Sequence, residues 1–122
     1  MPDALPSANT LLDTLRVFLE KDIAPQVDAR SAYLLKVATH LLDTLGRELQ
    51  LSQPAIAAEA ARLQTLLDDS DCTNVDTLNR QLCLRIAAGE QDLTSQALWI
   101  HLLRTTQDRL AVDNPRYKYA PE

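Results

Sequence analysis

The sequence predicts an all-α fold, a single-domain bundle of about five helices with a short irregular C-terminal tail from about residue 114. Three observations predict it. Leu and Ala dominate the apolar fraction while aromatics are only 4%, and Leu and Ala favour helix whereas β-branched and aromatic residues favour strands. Apolar residues recur at three- and four-residue spacing through most of the chain, the signature of one buried helix face. Glycine occurs only twice, too rarely for the turns of a many-stranded sheet. At 122 residues the chain is one domain in length, able to bury about two-thirds of its unfolded surface without staples.

The elements follow in order. Ser7 is placed to cap a first helix running to about Asp22, with Leu11, Leu12, Leu15, Phe18 and Leu19 as its stripe. Pro25 separates it from the next. A second helix is expected from about Ala29 to Gln50. Its stripe of Leu34, Leu35, Ala38, Leu41, Leu42, Leu45 and Leu49 is broad enough to imply more than one neighbour. Gly46 lies inside it and costs up to ~1 kcal/mol relative to Ala, which points to a helix crossing closely there. Ser52 is expected to cap a third helix with Pro54 in its first turn, where a missing N–H does no harm; Ile56, Ala60, Leu63, Leu66 and Leu67 face inward. The stretch DDSDCTN reads as a loop. Val75, Leu78, Leu82 and Ile86 mark a fourth helix, stopped by Gly89. Asp92 or Thr94 is expected to cap a fifth, which buries Leu98, Trp99, Leu102, Leu103 and Leu110 and ends before Pro115. The pentapeptide LLDTL occurs at 11–15 and again at 41–45, a coincidence expected of two Leu-rich amphipathic helices.

Charge restricts the partners. The formal net charge of −5 argues against nucleic acid, whose phosphates require clustered Lys and Arg. Residues 1–79 carry six basic and twelve acidic side chains, and residues 80–122 six basic and five acidic. The C-terminal third is therefore the relatively electropositive end. No basic segment leads into an apolar run of the signal-peptide kind, and no window approaches the ~20 apolar residues of a membrane span. The expectation is a cytoplasmic protein. Cys72 and Cys83 have no CxxC spacing and no nearby His, and read as a reduced loop thiol and a helical packing residue.

The chemistry-bearing residue types do not converge on a catalytic, cofactor-binding or metal site. His40 and His101 each lack a His or Cys at i+3 or i+4, the spacing by which one helix offers two metal ligands; both read as partly buried helix residues. Gly46 and Gly89 stand alone, so neither a P-loop nor a dinucleotide fingerprint exists. There is no GxSxG. The acidic run Asp68, Asp69, Asp71 lacks the glycine and terminal glutamate of a calcium loop.

What remains is the end of the chain. Arg104, Arg109, Arg116 and Lys118 accumulate there with Tyr117 and Tyr119 beside them, and Arg104 is spaced to pair with Asp108. Tyr offers rigid area with a polar tip and Arg a planar donor fork, which suits both to interfaces. These six residues are the candidate partner-contacting set. The tail after Pro115 is expected to fold back through Tyr117, with Arg116 and Lys118 turned outward.

The stretches PSANTLLDTLRVFLEKDIAP, GRELQL, LRIAAGEQD and DRLAVDNPRY together resemble a family of small, all-helical bacterial proteins of unknown function. Its members are encoded beside an aminoglycoside-phosphotransferase-like kinase and acyl-CoA dehydrogenases, or form a tail on the kinase. The loop from Asp68 to Asn74 and the ending KYAPE depart from the pattern. One branch is similar to the helper subunit of a 4-hydroxyacyl-CoA kinase, whose large subunit carries ATP, Mg²⁺ and the catalytic acid. The resemblance implies a non-catalytic accessory subunit held by such a kinase, in a pathway linked to acyl-CoA dehydrogenases. It implies no functional residues. The alternative from another class is a stand-alone binder of acyl-CoA or another small molecule between the helices. Wide apolar stripes also raise the expectation of a homodimer.

Overall fold

The computed structural model describes residues 5–118, and Tyr119 lies outside them. The fold is all-α, with no strand among the described residues. The elements are α1 (Ala8–Phe18), a π-helical turn (Leu19–Ile23), a 3₁₀ turn (Ala24–Gln26), α2 (Ala29–Leu67), α3 (Val75–Ala87) and α4 (Gln96–Asp113). The packing separates two compact units, Met1–Gln50 and Leu51–Glu122.

The α-helices among the described residues are four rather than five, because the expected second and third are one helix of 39 residues with Pro54 inside it. The motif S-x-P reads the same whether it opens a helix or interrupts one. Proline in a helix interior removes one N–H and crowds the carbonyl four residues back, here that of Gln50. Gln50 is exposed, so water can meet that carbonyl, and the helix continues. Ser52 is accordingly an interior residue, not a cap.

The first unit is a hairpin of α1 and the first half of α2. Ser7 caps α1 as its sequence predicts, its Oγ accepting from the Thr10 N–H at 3.1 Å. Asp28 does the same for α2, its Oδ1 accepting from the Ser31 N–H at 2.7 Å. These bonds satisfy N–H groups that a helix start leaves without partners. The two helices run antiparallel, since Arg16 meets Asp43 (Nε–Oδ1 3.3 Å) while the earlier Asn9 lies beside the later Gly46. Arg16 also reaches Asp13 at 2.6 Å and Glu20 at 3.2 Å. A Cβ on Gly46 would meet Asn9 Oδ1 at 3.4 Å. The crossing expected from the glycine exists, but it is made with a side chain.

The second unit packs the later part of α2 with α3 and α4. Its core is Leu63, Leu67, Leu78, Leu82 and Leu98, with Ala60, Leu66, Cys72 and Val75 against it. Burying each leucine stabilises the unit by about 1.5–3 kcal/mol before entropic costs. Asp68, at φ 53°, ends α2 in the left-handed region, and Gln64 Nε2 ties the following loop by donating to the Cys72 carbonyl at 2.6 Å. Asn74 caps α3 through the Thr77 N–H at 3.0 Å. Gly89 stops it at φ 73°, a left-handed conformation that glycine adopts most readily because it has no Cβ. Ser95 caps α4 by accepting from Leu98 N–H at 3.3 Å. Asp92, one of the two expected caps, instead closes the preceding turn onto the Thr94 N–H and hydroxyl, at 2.9 and 2.6 Å. Those bonds hold its carboxyl below the usual aspartate range.

Candidate interaction surfaces

Helix α4 has apolar residues on two sides. Leu98, His101 and Val112 are buried, with Thr105 one turn beyond His101 on the same face. Trp99 and Leu103 lie i,i+4 on the opposite side and keep 59% and 56% of their surfaces in solvent. Leu102 is exposed too, and Leu110 is half-buried. The expectation that Leu98, Trp99, Leu102, Leu103 and Leu110 share one buried face is thus corrected. They span more of the helix circumference than one packing face covers, and α2 and α3 take only the Leu98 side. Trp99 is held in its outward position by its Nε1–H, which donates to the Leu93 carbonyl at 2.7 Å.

The sequence-derived candidates gather near this helix only in part. Arg104 is exposed on α4 and makes no ion pair with Asp108 among the described residues. Arg109 forms a fork with Asp113 instead, Nε–Oδ2 2.8 Å and Nη2–Oδ1 3.0 Å, a support of the last turn of α4. Beyond Asn114 the chain turns, with Tyr117 N–H donating to the Asn114 carbonyl at 3.0 Å. Arg116 and Lys118 are exposed as expected, but Tyr117 keeps 49% of its surface in solvent, so it is not a buried pin. Of the other residues singled out in the sequence, His40 and Cys83 are exposed rather than packed, and Cys72 is half-buried.

Inside the second unit lies a polar arrangement that sequence reasoning missed. His101 is only 2% exposed. Its Nδ1 accepts from Arg62 Nε at 3.1 Å, and Arg62 Nη2 donates to Thr105 Oγ1 at 3.2 Å. An accepting Nδ1 places the neutral imidazole's proton on Nε2. Burial lowers the His101 pKa below 6.5, the Arg62 charge lowers it further, and Glu59 opposes them. The arrangement fixes α4 against α2 and offers no open catalytic geometry. Arg62 and Arg104 also line an open cleft of about 610 Å³ whose other walls include Leu51, Pro54, Ala58 and Ala111. Among the described residues no group of three or more His, Cys, Asp or Glu side chains is arranged to hold a metal ion. None of their helices is long and apolar enough to cross a membrane.

The first unit carries a second surface. Leu11, Leu15 and Phe18 of α1 and Leu34, Leu41 and Leu45 of α2 are all exposed. On both helices they lie well around the axis from Arg16 and Asp43, the residues that bridge the hairpin.

Among the described residues the helices thus present apolar surface on the outer side of α4 and on the hairpin of the first unit. The chain belongs to a family described as a domain of unknown function, DUF6285, whose model matches residues 25–117. No curated protein and no solved structure matches it.

Proposed function

We propose that this chain is a non-catalytic accessory subunit that docks on a larger catalyst, an aminoglycoside-phosphotransferase-like kinase acting on hydroxyacyl-CoA. The observation that carries the docking role is the outward stripe of α4. Trp99 and Leu103 stand exposed opposite the core. Trp is among the residues that dominate binding energy at interfaces because it combines large contact area with a directed polar group. The identity of the partner rests on the resemblance of PSANTLLDTLRVFLEKDIAP, GRELQL, LRIAAGEQD and DRLAVDNPRY, with its kinase and acyl-CoA dehydrogenase neighbours. A second reading, an acyl-CoA or other small-molecule binder, is favoured by the cleft that Arg104 lines together with Leu51, Pro54, Ala58 and Ala111, with Gln107 and Asp108 also in its walls.

One experiment separates them. The chain is co-expressed with the neighbouring kinase, and Trp99→Ala/Leu103→Ala is compared with wild type. Docking through α4 predicts co-purification of the wild type and at least ~30-fold weaker association of the double variant, from two central contacts each worth more than 1 kcal/mol. Kinase solubility and turnover that are the same with and without the chain would end the proposal. Heat on titrating acyl-CoA into the isolated chain, abolished by Arg104→Ala, would move the function to the cleft.

A further inference from the structure

The described residues of the first unit form no apolar interior of their own. Among described residues 5–50 no apolar side chain is buried, and the one buried residue is Thr39. Two helices form a single layer, and a stable layer requires a second against its apolar side. That side is already arranged. Both copies of LLDTL lie in the hairpin, and in each the first and last leucines (Leu11 and Leu15, Leu41 and Leu45) are exposed while the middle one (Leu12, Leu42) is half-buried. In each, the aspartate reaches Arg16. With the helices antiparallel and the Arg16–Asp43 bridge on one side, helical geometry turns the outer leucines of both helices to the other. Phe18 and Leu34 extend the same face.

We infer that this face is the interface of a homodimer, in which two hairpins pack face to face as a four-helix bundle. The six exposed side chains present on the order of 600 Å² of surface per copy, against the ~800 Å² per partner of a standard interface that includes a polar rim. A second copy is the occupant that matches the layer in both length and character, because the surface brings the same leucine register on both its helices.

The inference concerns the first unit and is independent of docking through α4. It is tested by light scattering on the isolated chain through the micromolar range. The expected mass is twice 13.6 kDa. Leu41→Glu should halve it with the helical circular dichroism unchanged, since Leu41 is 64% exposed within one copy. Leu11→Glu, on the other helix of the face, should act in the same way, since Leu11 is 58% exposed. A wild-type chain that is monomeric throughout would overturn the inference, as would a Leu41→Glu variant that remains dimeric. A monomer that binds the kinase and loses it with Leu41→Glu would also overturn it, assigning the face to that partner.

Discussion

Pro54→Ala should stabilise the protein, although it removes a residue placed where a helix start is expected. In the structure Pro54 lies deep within α2. An interior proline costs about 3 kcal/mol relative to alanine, from the absent N–H and the ring's clash with the preceding turn. Two features reduce what can be recovered. Gln50, whose carbonyl lacks its partner, is exposed, so solvent already offsets part of the lost bond. Proline also restricts the unfolded chain, and alanine forfeits about 0.4–1 kcal/mol of that restriction. The ring itself is exposed and contributes little packing. The net expectation is a gain of about 2 kcal/mol. Urea unfolding followed by circular dichroism at 222 nm measures it as a higher midpoint at unchanged slope. A loss of more than ~0.5 kcal/mol would refute the reasoning, because it would mean that α2 depends on the bend or cap that proline supplies.

Two further outcomes follow from the same geometry. Gly46→Ala should be stabilising by about 0.5–1 kcal/mol, since the new Cβ would just touch Asn9 Oδ1 at 3.4 Å; a thermal melt that moves downward would show that the contact cannot give. Protonation should destabilise the second unit. The His101 pKa is lowered by burial and by Arg62, so below about 6.5 the unfolded chain takes up a proton that the folded chain resists. Stability is therefore full above that pH and falls as pH drops toward the folded value. His101→Gln should remove this segment of the curve while leaving the acid limb below about 3.8, where Asp28 and Asp92, both lowered by hydrogen bonds, lose theirs. Urea midpoints collected across the two ranges distinguish them.

Much of the architecture was legible because it depends on local chemistry. Ser7 and Gly89 act where their side-chain and backbone properties place them, and Leu63, Leu67, Leu78, Leu82 and Leu98 are core because their spacing matches the helix period. The merged α2 was not legible, since local sequence penalises Pro54 by an amount that packing on both sides can outweigh. The two-sided character of α4 was hidden by leucine itself, which marks a face as apolar without saying whether anything covers it. His101 lacked a sequence signal because its partner, Arg62, lies 39 residues away. Of the candidate residues, Arg104 is exposed on the cleft side of α4, Arg109 is bound to Asp113, and Tyr117 is half in solvent; Trp99 was assigned to the core.

The placement of Trp99 has an optical consequence. It is the chain's sole tryptophan, and its indole stands on the outside of α4, anchored through Nε1 to the Leu93 carbonyl. Emission excited at the indole band thus reports chiefly on what covers that exterior. A docked neighbour should shift the spectrum to shorter wavelength, whereas melting of the leucine interior should move it little.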